Sequence, residues 1–200
     1  MNHRLPLFPL QTVLFPGGPL VLRLFEPRYL DMVAECLRED RGFGVCRIVD
    51  GREAGQPAEP EAVGTLARIV DWEQRSDGLL GITVRGEQRF RIVSREVEKN
   101  GLQRAEVEWL PQPPATPLPE EHAALAALLD RILEQIRGPW AALSRHPGDA
   151  EWVGCRLAEL LPIPPQDRQQ LLELDDPVER LAVLHEALNH AQTTDDAPQE

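Results

Sequence analysis

The sequence predicts an α+β protein: a strand-rich first half closed into a β-barrel or strongly bent sheet with one helix, followed by a helical second half. Three observations predict it. Short apolar runs bounded by glycine and proline turns fill residues 1–110. Five prolines crowd the nine positions from Pro111 to Pro119. Beyond them, apolar residues recur at three- and four-residue spacing, the period of an amphipathic helix. The implied organisation is a β-barrel subdomain over 1–110, a proline-rich linker over 111–119, a helical subdomain over 120–190 and a disordered tail over 191–200.

The first run, Leu5, Leu7, Phe8 and Leu10, is cut by Pro6 and Pro9. Proline lacks the N–H that a central strand donates, so this piece suits an edge strand or an extended arm. Val13, Leu14 and Phe15 form a second run, closed by the turn residues Pro16-Gly17-Gly18-Pro19. Leu20, Val21, Leu22, Leu24 and Phe25 form a third, broken only by Arg23, and read as a buried strand. Glu26-Pro27 ends it. Proline is favourable at the first helical position, where its missing N–H would have no partner anyway. The helix expected over 28–38 carries Tyr29, Met32, Val33, Cys36 and Leu37 on one face, and Gly42 is placed to stop it.

Phe43, Val45, Ile48 and Val49 suggest the next strand, and 51–62 an exposed, mobile loop. Strands are expected at 64–75 and 79–84, joined by an Asp77-Gly78 hairpin turn, then at 90–93 and 102–110, joined through Asn100-Gly101. Gly86 lies between the middle pair and suggests a bulge or bend. After the prolines, a helix is expected from about 119 to 137. A second is capped by Asp149, a short one carries Leu171, Leu172 and Leu174, and a last one starts at Asp176-Pro177 with Glu179 three residues after the cap.

Composition narrows the function. Hydrophobic residues make up 42% and charged residues 27%, as in ordinary globular proteins. No apolar run approaches the roughly 20 residues of a membrane span, and no basic segment precedes an apolar one as in a signal peptide. The net charge is −12, and it is uneven: residues 110–200 hold 6 basic and 16 acidic side chains. An acidic chain of this kind repels nucleic acid. Cys36, Cys46 and Cys155 are odd in number, widely spaced and without a CxxC pair, which suits buried thiols in a reducing compartment, the cytoplasm.

No catalytic motif is present. A phosphate-binding (Walker A) loop needs glycines followed by Lys and Ser or Thr, but the single lysine, Lys99, precedes Asn100. A Ser-Lys dyad would have to use the same lysine, whose nearest serine, Ser94, falls at a surface strand end. His185 and His190 flank Glu186, but five-residue spacing turns them about 140° apart on a helix, whereas the zinc motif needs spacing of four. His3, His122 and His146 have no clustered partner. The chain is expected not to be an enzyme and to need no cofactor or metal. Arg85, Arg89, Arg91 and Arg95 stand at alternate positions and would share one strand face unless Gly86 shifts the register. Two readings of that stripe stay open: a solvated face paired with acids, or a patch for acidic peptide or RNA. Glu26 and Arg28 stay open in the same way. One reading is a structural pair at a helix start, the acid favoured by the helix dipole and the arginine tying helix to barrel; the other is a catalytic pair.

Residues 5–29, LPLFPLQTVLFPGGPLVLRLFEPRY, resemble the start of the Lon protease N-terminal domain family, also called the Lon substrate-binding domain. The resemblance rests on an LPLFPL arm at 5–10, a V-L-F-P-G turn at 13–17, an apolar strand at 20–25 and F-E-P-R-Y at 25–29. Residues 64–93 and 157–184 agree with it, so it spans nearly the whole chain. It implies a PUA-like β pseudo-barrel with one helix, followed by a C-terminal helical bundle. It also implies a non-catalytic protein that binds protein or peptide segments, in substrate recognition or as an adaptor. The implied partners are unfolded or exposed polypeptide segments, a protease or chaperone in trans, and further copies of the chain, with no membrane and with nucleic acid disfavoured. Candidate binding residues are Phe15, Gly17, Gly18, Phe25, Glu26, Arg28 and Tyr29, with the loop 51–62. The alternative, RNA or small-ligand binding through a PUA-like barrel, would use the arginine stripe, above all Arg89 and Arg91.

Overall fold

The structure, a computed structural model, describes residues 4–195, with side chains through residue 190. It is a mixed α/β fold. Its strands are β1 (Leu5–Leu10), β2 (Pro19–Leu24), β3 (Phe43–Asp50), β4 (Glu59–Pro60), β5 (Val63–Gln74), β6 (Leu80–Val97) and β7 (Gln103–Trp109). Its helices are α1 (Pro27–Arg38), α2 (Ala123–Gln135), α3 (Ala150–Leu160), α4 (Pro165–Glu173) and α5 (Pro177–Asp195). Two compact units emerge. One holds the chain through Gln112 together with residues 164–172; the other holds residues 113–163 and the chain from Glu173 onward.

In the first unit the strands are joined in the order β1-β7-β6-β5-β3-β4, and β1 also pairs with β3. Five strands therefore form a ring whose pairings return to β1. β2 pairs only with β6, and β4 only with β3, so both keep an edge without a strand partner among the described residues. The ring corrects the edge reading of β1. That strand pairs antiparallel with β7 at Leu5, Pro6 and Leu7, and parallel with β3 from Leu7 to Leu10. The two ladders overlap at Leu7 alone, so Pro6 and Pro9 each sit where only one flank is paired, and the missing N–H costs little.

β6 corrects a second expectation. The strands foreseen at 79–84 and 90–93 are one strand of 18 residues. Its first half pairs with β2 and β5, and its second half with β7. Between them, Thr65 faces Arg89 while Ala67 faces Gly86, so β6 carries one residue more than β5 there. Such a bulge bends a strand. At the bend, the Gly86 N–H donates to the Gly18 carbonyl and the Gly17 N–H donates to the Gly86 carbonyl, each at 2.8 Å.

The apolar run at 13–15 is not a strand. Val13, Leu14 and Phe15 are buried as irregular chain, and the Thr65 hydroxyl donates to the Leu14 carbonyl at 2.6 Å. That bond supplies the partner a buried carbonyl needs in the absence of a ladder. α1 begins at Pro27 as expected and lays Tyr29, Met32, Val33 and Cys36 against Phe8, Phe43, Ile82 and Val84. Each such burial contributes about 1.5–3 kcal/mol. Gly42 does not end this helix. Asp40 takes the left-handed conformation (φ 48°), and the Arg41 N–H donates to the Cys36 carbonyl at 2.9 Å. Gly42 is small for another reason: a Cβ there would lie 2.5 Å from the Ala67 carbonyl oxygen.

Most of α4 belongs to this unit, although the sequence places it among the helices of the second half. The Gln169 side-chain amide donates to the Val63 carbonyl at 3.0 Å, and Arg89 Nη1 donates to the Leu172 carbonyl at 2.8 Å.

In the second unit, Asp149 caps α3 by accepting from the Glu151 N–H at 2.9 Å, and Asp176 caps α5 by accepting from the Val178 N–H at 2.8 Å. The end of the proline-rich segment is held down. The Leu118 N–H donates to the Gly148 carbonyl at 2.9 Å and the Ala150 N–H to the Thr116 carbonyl at 2.8 Å. Leu181 and Leu184 of α5 are buried, and so is Arg180, which pairs with Glu151 and donates to the Leu174 carbonyl at 2.6 Å. Arg156, 1% exposed, pairs with Glu159 at 2.7 Å. The tail expected at 191–200 begins inside α5, which runs to Asp195; residues 196–200 lie outside the described residues.

Candidate functional site

A cleft of about 310 Å³ runs beside β2. Its walls are Phe8 and Leu10 of β1, Leu20, Leu22 and Leu24 of β2, and Tyr29 of α1; Phe25, Glu26, Arg23 and Glu53 stand at its rim. The sequence builds this wall by alternation. In β2, Leu22 and Leu24 are buried and Leu20 is half-buried, while Val21 and Arg23 point out. Val21 is 49% exposed and Phe25 58%. The reading of this run as a buried strand is thereby corrected. Only one face is covered, and the edge away from β6 has no ladder partner among the described residues.

The floor is rigid. The Phe8 and Tyr29 rings stack with centroids 4.0 Å apart at 22°, and the Arg28 guanidinium carbon lies 4.7 Å above the centre of the Tyr29 ring. Burial pushes the Tyr29 phenol up to about 12; Arg28 works against this, and Glu26 and Glu53 add to it. Tyr29 therefore stays neutral at pH 7. Arg28, 5% exposed, donates through Nη1 to the Gly101 carbonyl at 3.1 Å and pairs with Glu26 at 2.9 Å. It ties the start of α1 to the β6–β7 hairpin, which is the structural reading of the Glu26–Arg28 pair. A second hollow of about 340 Å³ lies beyond it and holds opposite charges, Glu26 and Asp31 against Arg28 and Lys99.

Of the nine residues singled out in the sequence, Phe25, Glu26 and Tyr29 line the cleft. Arg28 lies behind it. Phe15 is fully buried, and Gly17 and Gly18 are occupied in holding Gly86. Arg89 and Arg91 part company. Arg91 is exposed on β6, opposite Val63 and Glu108. Arg89 is 3% exposed and directed to Leu172. The four arginines thus do not form one exposed row: Arg89 keeps the register of Arg91 on β6, but it is buried where it donates to the Leu172 carbonyl of α4. Of the loop 51–62, residues 51–57 are exposed and Glu53 reaches the cleft. Phe8, Leu10, Leu20, Leu22 and Leu24 were not singled out by number, whereas Glu53 falls in the candidate loop 51–62. For the leucines the signal was present: 20, 22 and 24 have the period of a half-buried strand, masked because Val21 and Phe25 on the other face are also apolar.

The histidines differ from expectation as well. His122 is buried, with its Nδ1 3.3 Å from Nδ1 of His185, so it has a partner that sequence distance conceals. Among the described residues, no group of three or more His, Cys, Asp or Glu side chains could hold a metal ion. No helix among them is long and apolar enough to cross a membrane.

Fold and cleft together define a mixed α/β domain with an apolar cleft beside β2. The chain belongs to the family of the ATP-dependent protease La (LON) substrate-binding domain, whose sequence profile matches residues 4–190. A Lon N-terminal domain protein from Xanthomonas campestris, known from a crystal structure, is 43% identical to it, with a TM-score of 0.76 covering 91% of this chain and 96% of that one. The N-terminal domain of a Mycobacterium avium complex Lon protease, 21% identical, shares the fold with a TM-score of 0.64 over 91% of this chain and 96% of that one. Lon protease 2 of Myxococcus xanthus is 27% identical over 92% of this chain and 23% of its own length. Protein cereblon of Gallus gallus is 31% identical over 54% of this chain and 24% of its own length. The chain thus spans about a quarter of the length of these curated relatives.

Proposed function

We propose that this chain is a non-catalytic module that binds exposed or unfolded polypeptide segments, laying them in extended form along the free edge of β2. The observation that carries this reading is the unpaired β2 edge beside an apolar cleft. Main-chain hydrogen bonds to such an edge supply affinity without regard to sequence, and pockets for alternate side chains supply selectivity. Val21 and Phe25 at the lip would shed water on binding. The family assignment supports the substrate class, and the sequence, with its single lysine before Asn100, offers neither a phosphate loop nor a Ser-Lys dyad.

Within the same reading, the strand ring is a PUA-like pseudo-barrel and the second unit a helical bundle. The chain works in the cytoplasm as a recognition or adaptor module for a protease or chaperone in trans, alone or as a homo-oligomer. The arginine-stripe alternative is not favoured, because Arg89 is buried.

The test is fluorescence anisotropy of a labelled, unstructured apolar peptide with the full chain. Val21→Asp and Phe25→Ser change exposed side chains, so unfolding should move little, while affinity should fall at least about tenfold, as for loss of interface anchors. Arg91→Ala should bind like the parent. Peptide binding that ignores both cleft substitutions would overturn the assignment of the site.

A further inference from the structure

The cleft is lined mostly by apolar side chains, with a few ionisable groups among them. Three ionisable groups besides Tyr29 line it: Arg23, Glu26 and Glu53. Arg23 is balanced by Asp77 at 3.0 Å, and Glu26 by Arg28 at 2.9 Å. Glu53 differs from both. Its Oε1 accepts the Gln11 N–H at 2.6 Å, and no Arg or Lys pairs with it among the described residues. Arg52, its neighbour in sequence, is not part of the wall. The carboxylate is held in place by a backbone donor and its charge is left uncompensated at the mouth of an apolar groove. The chain as a whole carries −12.

Resting on the reading of this cleft as a strand-adding site, we infer that its preferred occupant is an extended segment whose apolar residues are followed at one end by Lys or Arg, the cation meeting Glu53. Apolar side chains fill the leucine-lined wall, while the flanking cation sits in the water-exposed rim, so it need not be stripped of its hydration. Partly exposed ion pairs are weak, which sets the size of the preference at about fivefold. Such a pair is also screened by salt. Segments ending in Asp or Glu are disfavoured by the same field, since like charges repel at the same range.

Three labelled peptides test this, with one alternating apolar core flanked by Lys, by Gln or by Glu. Glu53→Gln is the informative variant, because it keeps an oxygen to accept the Gln11 N–H and removes only the charge. The parent chain should bind in the order Lys, Gln, Glu, with about fivefold between the first two. In Glu53→Gln the affinities of the Lys-, Gln- and Glu-flanked peptides should converge. High salt should do the same to the parent chain without any substitution. Equal affinities in the parent, or a Lys preference that survives Glu53→Gln, would overturn the inference while leaving the cleft reading intact. If the Gln-flanked peptide does not bind at all, the cleft reading itself fails, and this inference with it.

Discussion

Gly86 lies so close to Phe15 that a Cβ built on it would stand 2.1 Å from the Phe15 carbonyl oxygen. The contact holds the Pro16-Gly17-Gly18 turn onto the bend of β6, and it is the point from which β2 departs along β6. Gly86→Ala should push the turn away and break the two 2.8 Å hydrogen bonds to Gly17 and Gly18, at a cost of about 3 kcal/mol. Gly78 gives the contrast. It has φ of 81° but nothing within 4 Å, so Gly78→Ala should cost only about 1 kcal/mol of backbone strain. Urea denaturation should show both as lower midpoints at unchanged slope.

Arg28 satisfies Glu26 and the Gly101 carbonyl with one planar group. Arg28→Ala leaves the acid and the carbonyl without that donor and should cost about 3 kcal/mol. Arg28→Lys keeps the charge but lacks the fork that spans both acceptors, so it should fall between parent and alanine. Thermal unfolding would order the three.

Arg89 and Arg91 are two residues apart and should behave oppositely. Arg89→Ala removes the donor to the Leu172 carbonyl in a buried setting and should destabilise by about 2 kcal/mol. Arg91→Ala, on an exposed strand face, should stay within about 0.5 kcal/mol of the parent. Equal effects in chemical denaturation would contradict the burial of Arg89.

The three cysteines are buried thiols. Burial pushes Cys36 up to about 11, with Arg104 opposing, and Cys155 up to about 12, with Arg180 opposing; burial raises Cys46 as well. In the native chain none should react with a thiol reagent at pH 8, and all three should react once the chain is unfolded. The folded state holds protons that the unfolded state releases from an ordinary value of 9.0 upward. Their contribution to stability is therefore complete below pH 9 and is lost as pH rises toward 11 and 12. Tyr29 acts in the same direction between 10 and about 12. A urea midpoint that stays flat from pH 8.5 to 11.5 under reducing conditions would contradict this burial.

Much of the fold was legible because local rules govern it. Pro27 opens α1, Asp149 and Asp176 cap α3 and α5, and Asp77-Gly78 and Asn100-Gly101 close hairpins, each by chemistry confined to a few neighbouring residues. The candidate site was legible at Phe25, Glu26 and Tyr29, which sit in one distinctive string, and in the loop 51–62 that carries Glu53. Gly42 misled because Asp40 accepted a conformation that glycine usually takes.

The sequence by itself determined the strand-rich first half, the helical second half, and the absence of nucleotide-binding and dyad motifs, and its motif strings carried the resemblance to the family. The first three follow from periodicity, turn chemistry and residue identity, all properties of short stretches. Tertiary structure alone decided that β1 closes a ring, that β2 pairs on one side only among the described residues, that Arg89 is buried and that Glu53 lines the cleft. Those outcomes depend on which strands meet, and strand pairing joins residues as far apart as Leu5 and Ala105. Nothing in the neighbourhood of either residue encodes the other.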